Sequence, residues 1–188
     1  MINFPDIPDE APDALVSFHF EDVQFELPDE QQLSDWLQDV VKNEGKAFIE
    51  VNYIFCSDEK LRDMNEEYLD HDYYTDVITF PYSDDAVHGD VFISYDRVAD
   101  NARQLNVAFE QELCRVLVHG VLHLSGYLDK TDAEEKVMRE KEDFYLKRMF
   151  GWIHWTFWFQ TYKVFGNLRY VHKLNRESIS EIIPINNI

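Results

Sequence analysis

Residues 109 to 126, FEQELCRVLVHGVLHLSG, constrain the fold of this chain more than any other stretch. Leu113, Leu117, Val121 and Leu124 recur at helical spacing, so the segment reads as a helix that must lie against a core. The opposite face carries His119 and His123 at i and i+4, which puts their Cβ atoms about 5–6 Å apart on one side. Gly126 stands where a left-handed C-cap would end the helix, and the turn it permits swings Asp129 back toward the imidazoles. His119, His123 and Asp129 are therefore candidate metal ligands, with a fourth position open to water. Two histidines and a carboxylate are an accepted ligand set for catalytic zinc. A single helical histidine is usually structural, and a pair at this spacing carries little weight alone. The helix-ending glycine and the carboxylate beyond it tip the balance toward a metal site.

Gly120 separates the chemistries such a site can perform. It occupies the position where an HExxH peptidase keeps the glutamate that polarises water and passes a proton to the leaving amine. A phosphodiester has a better leaving group, and a metal-activated water can attack it without that neighbouring base. Peptide hydrolysis is disfavoured on this ground; phosphodiester hydrolysis is allowed by it.

The rest of the chain reads as strands mixed with helices, an α/β or α+β domain. Phe18, Phe20, Val23, Phe25 and Leu27 alternate as a half-buried strand, and Leu33, Trp36, Leu37, Val40 and Val41 then predict a helix ending near Gly45. AFIEVNYIFC, residues 47 to 56, is the strongest strand signal and is expected to be central. Ser57 caps the next helix. A polar loop, DHDYYTD, precedes the strand VITFPY; an acidic loop, SDDAVHGD, precedes VFISY. Asp96 is the expected cap of a helix over 97–105, and Thr131 caps a last charged helix.

Residues 1–14 read as a loose leader, 15–150 as the folded domain and 151–188 as a separate tail. That tail is crowded with aromatics, lacks clean helical or strand periodicity, and is assigned no role. Of the charged residues only Lys163, Arg169, Lys173 and Arg176 against Glu177 and Glu181 lie in it, so residues 1–150 carry a net charge of −22 within the whole chain's −20. Such charge argues against nucleic acid as a partner. Between residues 130 and 148, however, six basic side chains balance six acidic ones. The acidic, proline-bearing start is unlike a secretory signal, and no apolar run approaches the roughly 20 residues that span a bilayer. Cys56 and Cys114, without CxxC pairing, are expected to be reduced core residues. A cytoplasmic protein is expected.

HGVLHLSGYLDK resembles the signature His-Gly-x-Leu-His-Leu-x-Gly-Tyr-Asp-His of the YbeY endoribonuclease family. SDEKLRDMNEEYLDHDYYTDVITFPY is similar to the family's Ser-Asp…Leu-Asn…Thr-Asp-Val-Leu-Ser-Phe-Pro block, GDVFIS to its Gly-Asp-Ile-x-Ile-Ser strand, and EEKVMREKE, with Met138, to its following helix. The resemblance spans about residues 18 to 149. It implies a small mixed β-sheet flanked by helices, with the metal site at the end of a central apolar helix. It also implies a zinc-dependent, single-strand-preferring endoribonuclease of the bacterial cytoplasm. Its work would be maturation of the small-subunit (16S) rRNA 3′ end and ribosome quality control, with rRNA, the small subunit and its assembly factors as partners, and neither DNA nor membrane. A non-catalytic ribosome-assembly factor with a structural metal is the alternative.

The chain departs from the family pattern at two places. Asp129, preceded by Leu128, replaces the usual third histidine, which lowers the site's net charge. Leu69 replaces an arginine thought to help with RNA, leaving Arg62, Arg97, Arg103 or Arg115 to contact phosphate. Asp76 and Asp90 are candidates to orient a ligand imidazole or accept a proton, or else are loop carboxylates bonded to backbone amides, the reading preferred for Asp90. Thr79 is expected to be structural. His71 and His88 are loop histidines that could complete the metal shell if Asp129 does not. Tyr127 either packs on the helix end or bonds substrate, with packing preferred.

Overall fold

In a computed structural model, the backbone is described for residues 15–69 and 73–164, and the side chains for 15–68 and 73–151. The expected leader, His71 and the tail beyond 164 lie outside the described residues. The chain divides into two compact units, Met1–Met149 and Phe150–Ile188, and the first holds the sheet and the candidate site.

The elements run β1 (Leu15–Phe20), α1 (Glu30–Asn43), β2 (Ala47–Cys56), α2 (Asp58–Leu69), β3 (Val77–Pro81), β4 (Ala86–Ser94), α3 (Tyr95–Leu105), α4 (Phe109–Leu124) and α5 (Asp132–Val164). The sheet order is β1-β2-β4-β3. β2 is parallel to both β1 and β4, while β3 returns antiparallel to β4, so the sheet is mixed. β2 is central as its composition predicts: Val51, Tyr53 and Phe55 are fully buried.

Alternate side chains of one strand serve the two faces. On β4, Phe92 joins Leu61 and Met64 of α2, with Ile78 and Phe80 of β3. Val91, one residue earlier, meets α4 at Gly120 instead. A Cβ at Gly120 would lie 2.6 Å from Val91 Cγ1, so the glycine that removes the peptidase base is also what lets α4 lie close on the sheet. The Tyr53 hydroxyl donates to the Leu117 carbonyl at 2.9 Å, fastening the same helix to β2. Trp36 Nε1 of α1 donates to the Tyr145 carbonyl of α5 at 3.3 Å.

Several boundaries differ from the sequence expectations. β1 stops at Phe20, because Phe25 leaves the strand line and stacks edge-on against Phe55 and Phe109. β4 begins at Ala86, inside the expected acidic loop; its pairing with β2 carries His88 and Asp90 into the sheet despite their polarity. Ser94, not Asp96, caps α3 by accepting from the Arg97 amide, and Asp96 accepts from the Asp58 amide at 3.0 Å. α5 continues through the expected aperiodic aromatics to Val164. A nucleated helix gains a hydrogen bond per added residue, and the lone Gly151 costs only about 1 kcal/mol.

Candidate metal centre

The end of α4 is built by a turn that its sequence demands. Gly126 has φ of 99°, in the left-handed region. The Tyr127 amide donates back to the Leu122 carbonyl at 3.0 Å and the Gly126 amide to that of His123 at 2.9 Å, a Schellman closure of the helix. The chain then doubles back, and Thr131 opens α5 with a reciprocal capping box: its hydroxyl accepts from the Glu134 amide while Glu134 accepts from the Thr131 amide.

This turn brings the three candidate ligands together. Asp129 Oδ2 lies 3.6 Å from His119 Nε2 and 3.5 Å from His123 Nε2. One ligand atom from each residue falls within 4.8 Å of the others, the single such group among the described residues. The two rings stand nearly perpendicular, with centroids 4.4 Å apart.

The hydrogen bonds behind the rings decide which nitrogens face the cluster. His123 Nδ1 lies 2.9 Å from the Tyr127 carbonyl, which can only accept, so the proton sits on Nδ1. His119 Nδ1 lies 2.8 Å from Glu142 Oε1, a carboxylate oxygen that fixes the same tautomer. Both Nε2 lone pairs then point inward and face each other across 2.9 Å, beside the Asp129 carboxylate. Three electron-pair donors converge with no donor hydrogen among them in the neutral state. That donor set fits a divalent cation. Burial opposes protonation of His119, but the hydrogen bond and charge of Glu142, aided by Asp76 and Asp129, raise its pKa. Burial and the neighbouring His119 lower that of His123.

Beside the cluster opens a cleft of about 720 Å³ whose lining includes Asp76, Glu112, Arg115, His119, Asp129 and Glu142. Asp76 orients neither imidazole: it accepts from Asn101 at 3.2 Å, and both Nδ1 atoms have other partners. Asp90 lies within β4 and binds side chains rather than backbone amides, accepting from Asn52 at 3.0 Å and Tyr82 at 2.6 Å. His88 also lies in β4, 3.9 Å from Glu50 and outside the three-ligand group. Thr79 is half-buried on β3, opposite Val91. The Tyr127 hydroxyl donates to Glu44 at 2.5 Å, so it serves the fold, while the Tyr127 carbonyl serves His123.

The four candidate phosphate-binding arginines are all engaged. Arg97 grips Asp58 with contacts of 2.6–2.9 Å, Arg103 pairs with Asp100, and Arg62 lies over the Tyr74 ring. Arg115 binds Glu142 at 3.0 Å and Asp143 at 3.1 Å. Leu69 closes α2.

The residue that the sequence reading overlooked is Glu142. A legible signal existed: Met138, Glu142, Tyr145 and Met149 fall on one stripe of α5, and all four are buried. A carboxylate on an otherwise apolar stripe requires a partner. Arg115, one turn before His119 on α4, supplies half of that requirement.

A mixed sheet covered by a helix that presents two imidazoles, with a carboxylate brought beside them by the turn after it, at an acidic cleft, defines a small α/β protein organised around a candidate metal centre. Comparison with known proteins assigns it more narrowly. Residues 17–150 match the family described as endoribonuclease YbeY, and the chain belongs to that family. Relatives named endoribonuclease YbeY include that of Flavobacterium psychrophilum, 49% identical over 134 residues, or 71% of this chain and 95% of the relative. That of Flavobacterium johnsoniae is 50% identical over 130 residues, covering 69% of this chain and 93% of the relative. A Thermotoga maritima protein solved in solution superposes with a TM-score of 0.54 at 31% identity, covering 76% of this chain and 93% of its own.

Proposed function

We propose that this protein is a zinc-dependent endoribonuclease that cleaves single-stranded rRNA in the cytoplasm, in maturation of the small-subunit (16S) 3′ end and in ribosome quality control. The observation that carries the metal dependence is the pair of Nε2 lone pairs facing each other beside Asp129, with both Nδ1 hydrogens already committed. His119, His123 and Asp129 would hold the ion. When bound, it supplies Lewis acidity toward a phosphoryl oxygen and toward water.

The protein's own groups do the rest. Glu142 and the Tyr127 carbonyl aim the rings. Asp129, its side chain 40% exposed, keeps the cluster open to the cleft and to solvent. Gly120 packs against Val91, so the position after His119 carries no carboxylate base, which sets the site apart from a zincin peptidase. The acidic lining repels phosphate, and the nearby arginines are paired. Binding of free RNA is therefore weak, and delivery falls to the small ribosomal subunit and its assembly factors.

The test is metal content per chain by plasma mass spectrometry on tag-free protein, beside His123→Ala and Asp129→Ala. About one equivalent of zinc in wild type, lost in both variants, together with chelator-sensitive cleavage of single-stranded RNA, is expected. No uptake by wild type would refute the metal site. A loaded protein that cleaves neither model RNA nor precursor rRNA in small-subunit particles would establish the assembly-factor reading instead.

A further inference from the structure

Glu142 is 5% exposed and lies 23 residues beyond His119, on a different helix. Its two oxygens have separate tasks: Oε1 meets His119 Nδ1 at 2.8 Å and Oε2 meets Arg115 Nη1 at 3.0 Å. The guanidinium is itself steadied by Asp143 at 3.1 Å. The carboxylate is thus clamped in orientation before any ion arrives. We propose that Glu142 is a positioning residue: with Arg115 behind it, it holds His119 as the Nδ1–H tautomer and so presents Nε2 to the metal. This rests on the metal reading given above and adds to it the group that orders the site. Carboxylates behind metal-binding imidazoles fix ring orientation and raise ligand basicity, and their loss typically weakens metal affinity about 10–100-fold.

The rival role is purely architectural, an ion pair that ties α5 to α4 whatever the ring does. The two histidines distinguish these roles. His123 is oriented by a backbone carbonyl that no side-chain substitution removes, so its ring is an internal control for every Glu142 variant.

The experiment records ring-nitrogen correlation spectra of the full chain at alkaline pH, zinc-free and zinc-loaded, and zinc affinity by competition with a chromophoric chelator. In wild type both rings should be Nδ1–H. In Glu142→Ala, His119 should move toward the Nε2–H tautomer while His123 does not, and zinc affinity should fall about 10–100-fold. Glu142→Gln, whose amide oxygen can accept the same N–H, should keep the tautomer and lose less affinity than the alanine variant.

A wild-type His119 in the Nε2–H form would overturn the proposal. So would an alanine variant that retains both the tautomer and wild-type affinity. Should Glu142→Ala fail to fold, the wild-type spectrum decides, supported by retention of the tautomer in Glu142→Gln. A wild-type chain that takes up no zinc refutes the metal reading, while the zinc-free spectra still report what Glu142 does to the ring.

Discussion

Gly120→Ala tests how closely α4 must lie on the sheet. The added Cβ would sit 2.6 Å from Val91 Cγ1 and 3.4 Å from Cγ2. Val91 is fully buried on β4, and its β-branch restricts the rotamers it can adopt, so helix or strand must give way. Overpacking of this kind costs ~1–3 kcal/mol. Exchanging glycine for alanine inside a helix returns up to ~1 kcal/mol. The balance is a loss of about 1 kcal/mol, or roughly 2–4 °C in Tm for a chain of this size. Val91→Ala alone removes two carbons at about 0.8 kcal/mol each and leaves a void. In the double variant the new methyl occupies part of that void, so the pair should be more stable than the sum of single effects by about 1 kcal/mol. Thermal and urea melts of the four metal-free proteins measure the cycle. A Gly120→Ala protein that melts above wild type would refute the close-approach argument, as would a cycle additive within about 0.5 kcal/mol. Gly120→Glu, which recreates the peptidase motif, should fail to fold, because its carboxylate enters a buried interface without a partner.

Glu44 offers a pH-dependent test. Burial pushes its carboxyl up, but hydrogen bonds from Lys141, Tyr127 and Tyr145 outweigh burial and hold it below the ordinary carboxylate range. Its stabilisation is present above the unfolded-state value and is lost as pH falls through the depressed one. Glu44→Gln should therefore lower Tm at neutral pH and flatten the acid limb of a Tm–pH curve; an unchanged limb would sink the idea. Glu112 behaves oppositely: burial raises its carboxyl against the pull of Arg115, with Asp76 and Glu142 adding to the rise, and its Oε2 has no hydrogen-bond partner. Its contribution is lost as pH rises through the raised value, so Glu112→Gln should melt above wild type at neutral pH and converge with it in acid. A gap independent of pH would contradict this. Finally, Cys56 and Cys114 are free and buried, and burial pushes both thiols up to about 12. Neither should react with a thiol reagent in the native protein; mass spectrometry showing rapid double labelling would refute that burial.

What could be read from the sequence follows the range of the interaction. β2 was legible because β-branched and aromatic residues dominate it, and α4 because its apolar stripe and glycine stop are local. The three candidate ligands lie within one eleven-residue window, where helix spacing and the Gly126 turn together predict their meeting. β4 was partly hidden because His88 and Asp90 hold sheet positions through partners outside the strand, Glu50 and Asn52 of β2 and Tyr82 just after β3. Asp96 looked like a cap as readily as Ser94, and only the Asp58 amide, 38 residues away, shows where its side chain goes. For Glu142 the apolar stripe of Met138, Tyr145 and Met149 marks a buried carboxylate, but its partners Arg115 and His119 lie 27 and 23 residues away, so nothing local names them.

The tether between Glu44 and α5 has a consequence for the order in which the site is made. Tyr127, whose carbonyl aims His123, is held by Glu44, and Glu44 also accepts from Lys141 at 2.8 Å. A ribosome extruding this chain releases all three ligands by residue 129, yet the groups that orient them, Lys141 and Glu142, emerge a helical segment later. Until then the His119 ring lacks the carboxylate that orients it in the folded chain, while His123 already has the Tyr127 carbonyl within reach. Ordering of the candidate site is thereby coupled to docking of α5, and a chain cut short before residue 141 would carry all three candidate ligands without the side chains that order them.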